Sequence, residues 1–193
     1  MITDKVGNGY TPAYEQLAEE FLGWGTPGSY HAERPRILEI GAADGAGMEY
    51  FRKVFSTDEV YGVDIDPTRA DIPNVTIADQ ADPGLAWALL PLPSPWDLIV
   101  DDASHQAGPT VRTLDNLWPT LRPGGYYVIE DWNYVQAASM WNLLAPVLFG
   151  RWSRYQYQGD VYNGAPFIGE LSDVDSVRVQ HGLIIIRKCG EPG

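Results

Sequence analysis

Two pairs of adjacent carboxylates are the residues of this chain most suited to chemistry. Asp101-Asp102 and Glu130-Asp131 each follow directly after a run of apolar residues. Neighbouring like charges raise each other's pKa unless a cation compensates them, and the carboxyl ends of adjacent parallel strands share one edge of a sheet. A rim of carboxylate oxygens without thiolates suits a hard divalent cation. We therefore expect Mg²⁺, or Mn²⁺, at this edge.

His105 lies three residues beyond Asp102, in the same predicted loop. Imidazole titrates near neutral pH, so it can take a proton from a hydroxyl whose pKa a bound cation has lowered. We predict that His105 is a general base. The competing interpretation is a loop histidine hydrogen-bonded to a neighbour, beside carboxylates that serve as solvated charges or helix caps.

A glycine-rich turn follows the first apolar run, Ile37–Ile40, and carries Gly41, Gly45 and Gly47. Glycine lets the backbone approach a ligand where a Cβ would collide, so the turn predicts a nucleotide-sized cradle. Its spacing is a poor match to the dinucleotide fingerprint G-x-G-x-x-G. Glu39, inside the strand, is a costly buried carboxylate unless it is paired, and a cationic ligand would pair with it.

Two later apolar runs also end in polar residues. Asp64 follows Val60–Val63, and Asp79-Gln80 follows Val75–Ala78. A carboxylate at the end of the second strand can bond the two hydroxyls of a ribose. The ends of three strands thus present acidic or amide groups to one crevice, which supports a nucleotide ligand.

The order of apolar runs predicts an α/β fold in a single domain, 1–193. A helix and linker (1–35) precede the cofactor- and metal-binding core (36–131), a region on the acceptor side (132–173) follows, and two runs around His181-Gly182 form a terminal hairpin (174–188). Strands that alternate with helices indicate a parallel sheet covered on both faces. We expect a Rossmann-like, mostly parallel, seven-stranded sheet with a C-terminal antiparallel hairpin.

Composition narrows the function classes. The 193 residues carry a net charge of −13, and such an acidic surface repels a phosphate backbone, so we expect no nucleic acid partner. The chain has one cysteine, no basic-then-apolar leader, and no apolar stretch of the roughly 18 residues that span a bilayer. We expect a cytoplasmic protein without a membrane partner, and a homo-oligomer is compatible with the sequence.

Taken together, the glycine turn, Asp64 and Asp79-Gln80 resemble the cofactor half of class I S-adenosylmethionine-dependent methyltransferases. The resemblance implies S-adenosylmethionine as the cofactor. Its contacts would be Glu39, Gly41 and Gly45 around the methionine part, Asp64 at the ribose, and Asp79 with Gln80 at the adenine edge.

The pattern Asp-Asp-x-Ser-His, followed by Gly-Gly-x-x-x-x-Glu-Asp, is similar to that of the metal-dependent sugar O-methyltransferases of macrolide biosynthesis and related natural-product enzymes. The N-terminal stretch 3–15 is similar to theirs too, although Asn8 stands where a histidine is common. The resemblance implies a small-molecule hydroxyl acceptor, either a sugar or a natural-product diol. It assigns metal binding to Asp102, Glu130 and Asp131, catalysis to His105, and contact with the cofactor's methionine end to Asp101.

Three alternatives stay open. Glycines spaced as Gly41, Gly45 and Gly47 also occur in short-chain, NAD(P)-dependent oxidoreductases, although no tyrosine here has the lysine four residues later that those enzymes require. Catechol O-methyltransferases share the general metal rim, so a phenolic diol is a second acceptor class. A non-catalytic module that keeps the fold and binds the cofactor or a partner is the third.

Lys5 likewise has two interpretations, a solvated terminal charge or a residue that closes over the cofactor.

Overall fold

The computed structural model describes residues 3–23, 34–132 and 173–190. Its strands are β1 (Ile37–Ile40), β2 (Val60–Asp64), β3 (Val75–Ile77), β4 (Trp96–Asp101), β5 (Leu121–Ile129), β6 (Val174–Gln180) and β7 (Leu183–Lys188). They form one sheet in the order β3-β2-β1-β4-β5-β7-β6. β1 to β5 pair in parallel, whereas β7 pairs antiparallel with both β5 and β6. The predicted mostly parallel, seven-stranded sheet with a terminal antiparallel hairpin is confirmed.

Helices cover both faces of the sheet. They are α1 (Asp4–Gly7), α2 (Thr11–Gly23), α3 (Ala46–Val54), α4 (Leu85–Ala88) and α5 (Ala107–Leu117). Side chains of β4 alternate between the two faces, so that Leu98 and Val100 pack in the core on the α2–α3 side, whereas Ile99 packs in the core on the α4–α5 side. Burial on both faces explains the unbroken apolar run of this strand.

The register of the central strands places their carboxyl ends side by side. Ile40 of β1 lies opposite Asp101 of β4, which in turn lies opposite Ile129 of β5. The residues that follow, among them Asp102 and Glu130, therefore emerge at one edge of the sheet, as the sequence predicts.

The predicted acceptor-side region, 132–173, lies outside the described residues except for Trp132 and Asp173. The division of the domain into four segments stays a prediction. Within the three described ranges, no helix combines the length and the apolar character needed to cross a bilayer.

Candidate functional site

Three strand ends meet where β1, β4 and β5 finish. The amide N–H of Asp102 donates to the Ile40 carbonyl at 2.9 Å, and that of Glu130 donates to the Asp101 carbonyl at 3.0 Å. Gly41 has a φ of +94°, and a Cβ there would collide with the Asp102 carbonyl oxygen. Glycine is therefore required at position 41, because the turn after β1 and the loop after β4 pack backbone against backbone.

A cavity of about 520 Å³ opens at this edge, bordered by the glycine turn and the loop after β4. Its lining includes Lys5, Glu39, Gly41, Gly47, Asp102 and His105. Its volume lies in the range of small-molecule pockets. Residues predicted from the sequence to bind a cofactor, to bind a metal and to act as a base thus share one cavity.

The ammonium of Lys5 lies among three carboxylates at the edge of this cavity. Its Nζ is 3.0 Å from Glu39 Oε1, 2.8 Å from Asp102 Oδ2 and 3.1 Å from Glu130 Oε1, and its side chain is 1% exposed. The hydroxyl of Tyr14 also donates to Glu130 Oε1. The N-terminal segment, residues 3–14, is thereby tied to the ends of three strands.

Burial and charge oppose each other in this cluster. Burial alone would lower the pKa of Lys5, but the three carboxylates outweigh it and raise that pKa well above its usual value. Burial raises the pKa of Glu39 to about 7 and the pKa of Glu130 to about 8, against the opposing charge of Lys5. Burial also raises the pKa of Asp102. One ammonium does not balance three ionised carboxylates, so the cluster either holds protons or attracts a further cation.

Asp131 lies next to His105 beyond the end of β5. Its Oδ1 accepts from the Tyr10 hydroxyl at 2.6 Å and from Asn8 Nδ2 at 3.2 Å, and its Oδ2 is 3.8 Å from His105 Nε2. His105 (φ +52°) and Asp131 (φ +55°) both adopt left-handed backbone conformations. Such conformations are costly for residues with a Cβ, persist only where the surroundings impose them, and cluster at functional sites.

Asp102, His105 and Asp131 are grouped closely enough to hold a metal ion. One ligand atom of each residue lies within 4.8 Å of the ligand atoms of the other two. Among the described residues, these three form the group with the spacing that a metal ion needs. Glu130, predicted as a ligand, directs its Oε1 to Lys5 instead. The position of His105 is compatible with a metal ligand and with a base, and both its role and the complete ligand set stay predictions.

The residues predicted to bind the cofactor's methionine part and ribose lie around the glycine turn. Glu39 and Gly41 line the cavity, and Gly45, with a φ of +81°, caps the start of α3. Asp64 accepts from the N–H of Ala43 at 2.8 Å and so braces the turn. Its contact with a ribose stays a prediction.

Asp79, Gln80 and Asp101 make local contacts away from the described lining of the cavity. Asp79 is exposed and accepts from the N–H of Ala81 at 2.8 Å. Gln80 and Asp101 are buried, and Gln80 Nε2 donates to Asp101 Oδ1 at 3.0 Å. Burial raises the pKa of Asp101 to about 7. The contacts of these three residues with the cofactor stay predictions.

Comparisons with known proteins identify relatives of the chain, although no protein-family model matches it. It is 36% identical over 140 residues to 8-demethyl-8-alpha-L-rhamnosyl tetracenomycin-C 2'-O-methyltransferase of Streptomyces olivaceus, a match that covers 67% of this chain and 35% of that protein. It is 33% identical over 132 residues to demethylmacrocin O-methyltransferase of Streptomyces fradiae. This second match covers 63% of this chain and 31% of that protein. The chain is a homologue of these O-methyltransferases.

The chain spans about a third of the length of these two relatives. Among solved structures it is similar to the MycE methyltransferase from the mycinamycin biosynthetic pathway in complex with Mg, SAH and mycinamycin VI. The TM-score is 0.60 and the sequence identity 19%, and the match covers 93% of this chain and 56% of that one. At this identity the likeness is one of fold. The predicted resemblance to class I methyltransferases, and to sugar O-methyltransferases among them, is confirmed.

The N-terminal segment completes the site beyond what the sequence predicted. Lys5 is buried rather than solvated, Tyr14 bonds Glu130, and Tyr10 bonds Asp131. The spacing of residues gives no sign of these contacts, because Lys5 is 97 positions from Asp102. The signal that could have found them is the similarity of stretch 3–15 to the N-terminal signature of the macrolide enzymes.

Proposed function

We propose that this protein is an S-adenosylmethionine-dependent O-methyltransferase that methylates a hydroxyl of a small molecule with the help of Mg²⁺ or Mn²⁺. The acceptor class is a natural-product sugar or diol, as the names of the O-methyltransferase relatives suggest. One observation carries the proposal, namely that the glycine turn shares a cavity with Asp102 and His105. Cofactor and acceptor can then meet at one edge of the sheet.

The cavity fits a cationic cofactor. Glu39 lines it, and the buried Glu39 Oε2 has no hydrogen-bond partner among the described residues. A buried carboxylate oxygen without a donor is costly, so it favours a ligand that brings a donor or a positive charge. Gly47 leaves room for this carboxyl group, because a Cβ there would collide with Glu39 Oε1. S-adenosylmethionine, when bound, supplies the methyl group on a sulfonium.

The rim also fits a hard cation. Asp102 and Asp131 offer carboxylate oxygens, with His105 beside them, and each of these residues has a ligand atom within 4.8 Å of the others. Glu130 is the further ligand that the resemblance implies, and its Oε2 is buried without a described partner. Oxygen ligands of this kind suit Mg²⁺ and Mn²⁺. A bound divalent ion would hold the acceptor hydroxyl and lower its pKa.

The position of His105 supports the role of proton acceptor. It lines the cavity, its Nε2 lies 3.8 Å from Asp131 Oδ2, and its Nδ1 has no partner among the described residues. We assign it to remove the proton of the acceptor hydroxyl that attacks the methyl group. The surrounding chain contributes by holding the nucleophile in line, since a misplacement of about 1 Å can cost a factor of about 100 in rate.

Two measurements test this function. Calorimetric titration with S-adenosylmethionine and S-adenosylhomocysteine, with Mg²⁺ and after chelation, is expected to show one cofactor site per chain. Mass spectrometry should then show a gain of one methyl group on 8-demethyl-8-alpha-L-rhamnosyl tetracenomycin C or on a catechol, abolished by the chelator. Cofactor binding with metal-independent methylation would contradict the metal's role, and no cofactor binding would contradict the function itself.

A further inference from the structure

The loop between β4 and α5, residues 102–106, carries both Asp102 and His105, and a buried side chain holds the N–H of its Ser104. The Ser104 N–H donates to Gln80 Oε1 at 2.9 Å. Gln80 thus fixes the loop directly before His105, the residue with left-handed backbone.

The amide nitrogen of Gln80 bonds two further buried side chains. Gln80 Nε2 donates to Asp101 Oδ1 at 3.0 Å and to Thr113 Oγ1 of α5, also at 3.0 Å. The Tyr127 hydroxyl of β5 donates to Asp101 Oδ2 at 3.4 Å. The amide of Gln80 therefore connects the segment after β3 with the end of β4, the loop and α5. Gln80 is 7% exposed.

An amide side chain is chemically suited to this position. It accepts a hydrogen bond at its oxygen and donates hydrogen bonds at its nitrogen, so Gln80 can hold a loop N–H and a carboxylate at once. A carboxylate there would keep the first bond, lose the second, and lie against the charge of Asp101. An apolar side chain would lose both bonds and leave buried groups unpartnered.

We propose that Gln80 is a positioning residue that holds the Asp102–His105 loop in its strained, active geometry through its hydrogen bonds with Ser104 and Asp101. This inference rests on the proposed function and deepens it, because the loop carries a predicted metal ligand and the predicted base. It also replaces the contact with the cofactor's adenine edge that the family resemblance implies for this residue. Left-handed backbone persists only where the surroundings over-determine it, and Gln80 supplies one of those constraints.

A reversal of the hydrogen-bonded pair tests the proposal. Gln80→Glu should loosen the loop, whereas Gln80→Glu combined with Asp101→Asn should restore it, because the amide introduced at position 101 can donate to the carboxylate introduced at position 80. The matched control is Gln16→Glu, which also places a carboxylate where an amide donates to a neighbouring carboxylate, Glu20, but on an exposed face.

Three readouts separate the outcomes. Hydrogen–deuterium exchange of peptide 102–106 should speed up in Gln80→Glu and return toward the wild-type rate in the double variant. The Mn²⁺ dissociation constant, measured by electron paramagnetic resonance, should rise about 10- to 100-fold and recover in the same way. The affinity for S-adenosylhomocysteine should be unchanged, and Gln16→Glu should match the wild type in all three.

Two results would overturn the proposal. One is loop exchange in Gln80→Glu that equals the wild type or is not restored in the double variant. The other is a loss of S-adenosylhomocysteine affinity in Gln80→Glu, where the proposal expects none, which would make Gln80 a cofactor contact. Gln80→Glu alone could fail to fold, in which case the double variant decides. Recovery of folding and of the wild-type loop exchange in the double variant supports the proposal. Absence of that recovery overturns the proposal. A wild-type protein that binds neither Mn²⁺ nor S-adenosylhomocysteine would contradict the proposed function instead, and the exchange rates would still test Gln80.

Discussion

Carboxylates are buried on both sides of this sheet edge, but their surroundings differ. On the α2–α3 side, Lys5 contacts Glu39, Asp102 and Glu130, and one oxygen of Glu39 and one of Glu130 are left without described partners. On the α5 side, both oxygens of Asp101 accept hydrogen bonds, from Gln80 and from Tyr127.

This difference distinguishes carboxylates that are suited to bind a ligand from a carboxylate that is suited to support the backbone. Unpartnered buried oxygens carry a free-energy cost that a ligand can relieve, so the Lys5 cluster is suited to a cofactor or a cation. A fully bonded carboxylate gains little from a ligand and instead fixes the backbone around it. Two residues that are adjacent in sequence, Asp101 and Asp102, thus have different partners because alternate side chains of an extended strand face opposite sides.

The largest effect is expected from His105→Ala. Loss of the general base should reduce methyl transfer by about 100- to 10,000-fold, with S-adenosylhomocysteine affinity unchanged in calorimetry. Mn²⁺ affinity sharpens the assignment, because it stays constant if His105 is only the base and falls if His105 is a ligand. His181→Ala, at the hairpin turn, is the control and should retain activity. Full activity of His105→Ala would remove this residue from the mechanism.

Lys5→Met should be the most destabilising change in the Lys5 cluster. Removing one partner of a buried ionic group leaves the others uncompensated, which costs about 3–5 kcal/mol. Urea unfolding measures the loss. Lys53→Met, which removes an exposed lysine that pairs with Glu49, should change the free energy of unfolding by about 0.5 kcal/mol or less. Equal effects of the two substitutions would mean that Lys5 is not a buried counter-charge.

A smaller loss is expected from Tyr14→Phe. It removes one hydrogen bond to Glu130 Oε1, an oxygen that Lys5 still contacts, and losing a hydrogen bond to a charged group costs about 1.5–3 kcal/mol. The control is Tyr61→Phe, whose partly buried hydroxyl donates to Glu59 at 3.2 Å and should matter less. If the two substitutions shift the urea midpoint equally, Glu130 does not depend on this bond.

The pH dependence of stability tests the same cluster without any substitution. The folded-state pKa values of Glu39 (about 7) and Glu130 (about 8) exceed the ordinary value of 4.5. The folded state therefore binds more protons than the unfolded state between these values, and the free energy of unfolding should fall as pH rises from about 4.5 to about 8. Urea titrations across this window measure the slope, and Glu39→Gln should reduce it. A slope of the opposite sign would contradict the raised pKa values.

The sheet and the cavity followed from local patterns, because buried parallel strands are continuous apolar runs and their carboxyl ends collect polar residues. The positions of Gly41, Asp102 and His105 at one cavity were predictable for that reason. The burial of Lys5 was not, since its partners are distant in sequence. Nor was the pairing of Gln80 with Asp101, because a strand end does not reveal which side of the sheet each polar side chain faces.

Anomalous diffraction from crystals grown with Mn²⁺ and S-adenosylhomocysteine tests the central claim most directly. We predict one manganese peak that contacts carboxylate oxygens of Asp102 and Asp131, next to a cofactor lying against the turn at Gly41. The same map shows whether Glu130 or His105 completes the ligand set. A cofactor bound at the turn with no manganese at these carboxylates would contradict the metal-assisted chemistry.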